Sequence, residues 1–170
     1  MLFRSNNQTV SVGQAADPLG QVPEADQLEE RGLIERLDDV GAGHALLVAA
    51  IIRGSFEFQG QKCSAASRVY IPQSLWPPVK TKLLAEMATI KVGPTEDFTN
   101  FVNAVIDERA FNKIKGYIDQ AKADGVEVLF GGNCDMSKGY FIEPTVIETK
   151  DPGYRLLCEE IFGPVLTAYV

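Results

Sequence analysis

The sequence predicts an α/β fold, a largely parallel sheet flanked by helices. Apolar residues recur at helical spacing over 74–90 and 107–121. Short runs rich in β-branched and aromatic residues stand at 69–71, 126–130, 140–149 and 165–170. The two kinds of segment alternate along the chain, which is the pattern of helices packed on a parallel sheet.

Residues 1–22 are polar with no sustained period. Residues 23–39 are charged and can form a short helix, with Leu28, Leu33, Ile34 and Leu37 loosely on one face, before Gly41 and Gly43 break it. Residues 1–43 therefore form a segment apart, expected to be artefactual or disordered, and 44–170 form the domain. Residues 45–58 read as a helix ended by Gly60, and Val69-Tyr70-Ile71 as a strand stopped by Pro72. Ser74 is expected to cap a helix whose buried face is Leu75, Val79, Leu83, Met87 and Ile90. Pro77 and Pro78 fall in its first turn, where missing N–H groups cost nothing. After a loop at 91–100, Asp107 is expected to cap a second helix with Phe111, Ile114, Ile118 and Ala121 inward and Gly125 at C′. Gly131 and Gly132 close the strand at 126–130. The chain's last residues are an apolar, strand-like run, which leads us to expect part of a domain.

The 170 residues are 45% hydrophobic and 23% charged, the proportions of a globular chain able to build a core. A formal net charge of -7 argues against a nucleic-acid partner, whose phosphates need a basic face. No apolar run approaches a membrane span, and no basic segment leads into an apolar stretch with a cleavage site. Three cysteines, Cys63, Cys134 and Cys158, match no zinc spacing and give an odd count, so free thiols in a reducing compartment and no metal site are expected.

Cys63 follows a helix and a glycine and precedes Ser64, Ala65 and Ala66. Small neighbours leave a substrate room to reach the sulfur. Lys62 supplies a cation of the kind that favours a thiolate, and nearby backbone N–H groups can hold an oxyanion. Taken alone, these residues favour the bland reading, because a lone cysteine is most often a small buried hydrophobe.

Two motifs reverse that weighting. Phe56-Glu57-Phe58-Gln59-Gly60-Gln61-Lys62-Cys63-Ser64 resembles the active-site cysteine signature of the aldehyde dehydrogenase superfamily, and Glu159-Glu160-Ile161-Phe162-Gly163-Pro164-Val165 resembles its nicotinamide-site motif. The likeness runs from about Ala45 to the last residue. Finer wording is similar to the branch acting on L-glutamate gamma-semialdehyde (1-pyrroline-5-carboxylate): 55–65, Arg68-Val69-Tyr70-Ile71-Pro72, Ser74-Leu75-Trp76, Val105-Ile106-Asp107-Glu108 with Phe111, and Gly139-Tyr140-Phe141-Ile142-Glu143-Pro144.

The resemblance implies part of that family's catalytic domain, with NAD as cofactor and a small aldehyde as substrate. It implies Cys63 as the nucleophile, Ser64 as a substrate-carboxylate contact, Glu160 on the nicotinamide ribose and Phe162 against the nicotinamide. It also implies a homo-oligomer for the complete enzyme and, in a eukaryote, the mitochondrial matrix; with no secretory signal or span read in the sequence, a cytoplasmic setting is otherwise expected. One departure is plain: the family's general base lies in a Glu-x-Gly-Gly motif, whereas Glu29 and Glu30, near that slot, are followed by Arg31 and Gly32. Neither is assigned the role, and the 170-residue chain by itself is expected to be inactive. Two other classes compete. A cysteine hydrolase needs a histidine beside Cys63, and the only histidine is His44. A non-catalytic binding module would leave Cys63 no more reactive than Cys134 or Cys158.

Overall fold

A computed structural model describes residues 2–5, 8–11 and 41–170. The expected helix at 23–39, and Glu29 and Glu30 with it, lie outside the described residues. The architecture is three-layered, with helices on both faces of a six-stranded sheet of order β2-β1-β3-β8-β7-β4. The strands are β1 (Leu2–Ser5), β2 (Gln8–Ser11), β3 (Arg68–Tyr70), β4 (Glu127–Phe130), β7 (Thr145–Thr149) and β8 (Val165–Tyr169). β5 (Cys134–Asp135) and β6 (Phe141–Ile142) form a separate small ladder.

The three central strands are parallel: β3 pairs with β8 through Val69↔Ala168, and β8 with β7 from Val165↔Thr145 to Tyr169↔Thr149. Antiparallel pairing is confined to the edges, β4 on β7 at one side and β1 on β3, then β2 on β1, at the other. The expected run at 140–149 is split by Glu143 and Pro144 into β6 and β7, because proline has no N–H for a ladder.

Alternation along β7 sets the layers. Val146 faces one core with Leu47, Val48, Ile51 and Phe56 of α1 (Gly41–Phe56) and Val79, Leu83 and Met87 of α2 (Trp76–Met87). Ile147, the next residue, faces the other core with Phe111, Ile114 and Ile118 of α3 (Glu108–Ala123). These chains are fully buried or nearly so, and truncating one such as Ile114 to alanine costs about 2–5 kcal/mol.

The helix ends follow local chemistry. Asp107 caps α3, its side chain accepting from the Ala110 N–H at 2.7 Å. The other end is a Schellman motif: Gly125 N donates to Lys122 O and Val126 N to Ala121 O, with Gly125 at φ 72°. One expectation needs correcting. Ser74 does not cap α2; Leu75 occupies that position without a side-chain bond, and the Pro72 carbonyl takes the N–H groups of both Leu75 and Trp76. Gly41 and Gly43 stand in the first turn of α1, which tolerates them because its N–H groups lack intrahelical partners anyway.

Candidate active site around Cys63

α1 runs into a tight turn, Glu57–Gly60, in which three successive residues adopt left-handed backbone: Phe58 (φ 51°), Gln59 (φ 59°) and Gly60 (φ 65°). The chain then reverses, with Gln61 N donating to Phe58 O and Ala65 N to Lys62 O. Cys63 and Ser64 sit on the crest of this second turn and are exposed. The thiol is thus presented by two successive turns at the C-terminal end of α1. No described residue accepts a hydrogen bond from the Cys63 N–H.

Side-chain amides tie this loop to the neighbouring segment. Gln61 Oε1 accepts from Ile106 N at 3.0 Å. With its amide oriented to suit its neighbours, Gln59 accepts from Asn103 N at 2.8 Å and donates to Phe58 O at 2.9 Å. Both amides therefore hold main chain rather than solvent.

The second motif is built in the same way. After the short helix α4 (Arg155–Cys158), Ile161 is buried, and Phe162 adopts φ 60° with 40% of its surface exposed. Phe58, Gln59 and Phe162 are the only non-glycine residues at positive φ among the described residues, and all three lie in the two motifs. Such conformations are costly and gather at functional sites.

The motifs meet at their glycines. A side chain on Gly60 would run into the Gly163 carbonyl, whose carbon stands 2.8 Å from the Cβ position, and into Ser55 O at 2.8 Å. A side chain on Gly163 would strike Ile114, with Cγ1 at 2.7 Å. Beside this contact lies an open groove of about 650 Å³ whose lining includes Phe58, Gln61, Ile106, Arg109, Lys113 and Phe162. Phe58 and Ile106 are exposed, so its wall is apolar, with two cations at the rim.

Of the predicted residues, Phe162 lines this groove. Cys63 and Ser64 stand on the adjoining turn, and Glu160 is exposed beside Phe162, its carbonyl accepting from Lys113 Nζ at 3.0 Å. One expectation about electrostatics changes: the Lys62 ammonium is spent on Glu57 (3.1 Å) and lies 5.6 Å from the Phe58 ring centroid. The pair holds the Glu57 carboxyl below its ordinary range, with the Lys62 hydrogen bond the largest cause. The roles of Gly60, Gly163, Gln59 and Phe58 were not read from sequence. The Gly-Gln pair of the motif was the available signal, but its partner across the fold carries none.

His44 lies in the first turn of α1, with a buried Nε2 lacking a partner among the described residues. At 1.5 Å per residue it is roughly 18 Å along the helix from Phe56, at the far end from the Cys63 turn. Neither Cys134 nor Cys158 adjoins the groove; burial pushes the Cys134 thiol up, and Cys158 contacts Gly153 O at 3.7 Å. Among the described residues there is no cluster able to hold a metal ion, and no helix is long and apolar enough to cross a membrane.

Fold and motifs together define a cysteine-bearing α/β module. Residues 40–170 match the aldehyde dehydrogenase family, and the chain belongs to it. It is 57% identical over 120 residues to the mitochondrial Delta-1-pyrroline-5-carboxylate dehydrogenase of Dictyostelium discoideum, covering 70% of this chain and 22% of that protein. A crystal structure of the Delta-pyrroline-5-carboxylate dehydrogenase from Mycobacterium tuberculosis, bound with NAD and cobalamin, superimposes with a TM-score of 0.69 at 43% identity, over 74% of this chain and 23% of that one. The betaine aldehyde dehydrogenase of Staphylococcus aureus also gives 0.69, at 35% identity over 74% of this chain and 26% of that one. Backbone similarity thus marks the family and not the substrate. The chain spans about a fifth of the length of the curated relatives it matches.

Proposed function

We propose that this chain is the cysteine-bearing part of an NAD-dependent enzyme that oxidises L-glutamate 5-semialdehyde, in equilibrium with 1-pyrroline-5-carboxylate, to glutamate. The observation that carries this reading is the backbone contact of Gly60 with Gly163, which joins the turn bearing Cys63 to the turn bearing Phe162. An exposed thiol and an aromatic-walled groove are thereby held on one rigid frame.

The Cys63 thiolate attacks the aldehyde carbon, forming a C–S bond, and the carbonyl oxygen becomes an oxyanion. The Cys63 N–H is available to donate to it, in the manner of an oxyanion hole. NAD, held beside the Cys63 turn by Phe162 and Glu160, would supply the acceptor for the hydride lost from that carbon. The sulfur then carries the acyl group as a thioester, which water cleaves to the acid, returning the thiol. Ser64, next on the crest, contacts the substrate carboxylate. The residues present suit the nicotinamide end of a dinucleotide: Phe162 and Phe58 offer apolar faces, and Glu160 stands beside them for the ribose hydroxyls.

The substrate assignment is supported by the wording of 55–65 and by the identity to relatives of that name. It is tested by kcat/KM for glutamate semialdehyde against succinate semialdehyde in the complete polypeptide that carries this sequence. Preference for the first by an order of magnitude or more is expected; preference for the second assigns another semialdehyde. The 170-residue chain by itself is expected to produce little or no NADH, and robust production would overturn that. Work as a homo-oligomer, in a bacterial cytoplasm or a mitochondrial matrix, belongs to the same reading. A cysteine hydrolase is disfavoured by the separation of His44 from the Cys63 turn.

A further inference from the structure

Two side chains from different elements close on one carboxylate beside the second motif. Tyr117 of α3 donates its hydroxyl to Glu159 Oε2 at 2.6 Å. Arg155 of α4 donates to the same group through Nε (2.7 Å) and Nη2 (3.1 Å). Its guanidinium also lies over the Tyr117 ring, 4.8 Å from the centroid. A fork of this kind fixes direction as well as distance. One helical turn earlier on α3, Lys113 takes the Glu160 carbonyl.

Glu159 and Arg155 are about half exposed, and such a pair by itself contributes little. Tyr117 is different: it is 9% exposed and packed in the α3 core, so it anchors the pair to the body of the fold. Both ionisations respond. The Glu159 carboxyl is held below its ordinary range, by Arg155 first and then Tyr117, and the same bond pushes the Tyr117 phenol up. Three residues beyond Glu159 comes Phe162 with its left-handed backbone. A non-glycine residue keeps that conformation only where its surroundings over-determine it. Gly163, seated against Gly60 and Ile114, holds the turn on one side; on the other, the Glu159 cluster joins the buried Ile161 and the Lys113 bond to the Glu160 carbonyl.

We infer that Tyr117 and Arg155 are positioning residues which, by fixing Glu159, set where Glu160 and Phe162 stand. The inference rests on the proposed function, in which those two residues face the cofactor. It is tested in the complete polypeptide by amide hydrogen exchange over 159–163 without and with NAD, and by steady-state kinetics in NAD. Tyr117→Phe keeps the ring and removes the donor; Arg155→Met removes the fork; Arg155→Lys keeps the charge alone.

Tyr117→Phe and Arg155→Met should each speed exchange at 160–162 by about tenfold, as expected when a local anchor is lost. Each should raise KM for NAD by about fivefold with kcat within about twofold, and Arg155→Lys should fall between. Unchanged exchange in both variants, or faster exchange with an unaltered KM for NAD, overturns the inference and leaves the cofactor reading standing. If NAD fails to protect 160–162 in the unaltered protein, the cofactor reading fails and the inference falls with it.

Discussion

Gly60 and Gly163 meet main chain to main chain, and neither position has room for a methyl group. The two obstacles differ in kind. A Cβ on Gly60 meets the carbonyl of Gly163 and the oxygen of Ser55, neither of which can turn away, and Gly60 also sits at φ 65°. A Cβ on Gly163 meets the tip and stem of the Ile114 side chain, which can rotate at some cost.

Gly60→Ala is therefore expected to be the harsher change. Left-handed backbone and backbone overlap together should cost at least about 2 kcal/mol, against roughly 1–3 kcal/mol for Gly163→Ala. Urea unfolding midpoints rank the two, and the alkylation rate of Cys63 reports whether its turn has moved. Equal effects would mean that the contact yields more readily than its geometry implies.

Lys62 is predicted not to govern the reactivity of Cys63, because its charge is committed to Glu57. Lys62→Met should change the alkylation rate of Cys63 by no more than about twofold, in keeping with the small worth of a partly exposed pair. A loss of tenfold would restore the lysine to the role that its sequence position suggests.

The Asp107 cap gives a direct stability test. Its carboxylate takes the Ala110 N–H at 2.7 Å, and Asp107→Ala should cost about 1 kcal/mol. A urea midpoint unchanged by the substitution would count against the cap.

The single tryptophan reports a pH-dependent network. Trp76 Nε1 and Lys80 Nζ both donate to Glu148 Oε2, at 2.8 and 2.9 Å. Burial pushes the Glu148 carboxyl up, but the bonds from Lys80 and Trp76 outweigh it and hold the group below its ordinary range. A depressed carboxyl stabilises the fold fully above the unfolded value, about 4.3, and loses that contribution as pH falls through the lower folded value. Trp76 emission should therefore titrate with a midpoint below that of a free glutamate, and Lys80→Met should move the midpoint upward. A midpoint at or above the free value would contradict the network.

Much of this was legible in sequence because it is local. Val79, Leu83 and Met87, and Phe111, Ile114 and Ile118, announce their faces by helical spacing, and Asp107 and Gly125 mark helix ends by their own chemistry. The strand at 165–170 emerged within a residue of its bounds. What escaped depends on residues far apart in the chain. Nothing near Gly60 says that Gly163 will lie against it, and Tyr117 reads as a core aromatic until Glu159 is seen at its hydroxyl. Ser74 failed as a cap because the turn at Pro72 had already supplied an acceptor. β1 and β2 escaped because Arg4, Ser5, Gln8 and Ser11 leave their short runs half polar.

If Cys63 carries the acyl group, acid quenching during turnover traps it there. The complete polypeptide would be mixed with glutamate semialdehyde and NAD, quenched within milliseconds, digested and examined by mass spectrometry. A glutamyl thioester on the Cys63 peptide is expected, absent from Cys63→Ser, which should also lose NADH production. A thioester on Cys134 or Cys158, or undiminished turnover in Cys63→Ser, would contradict it.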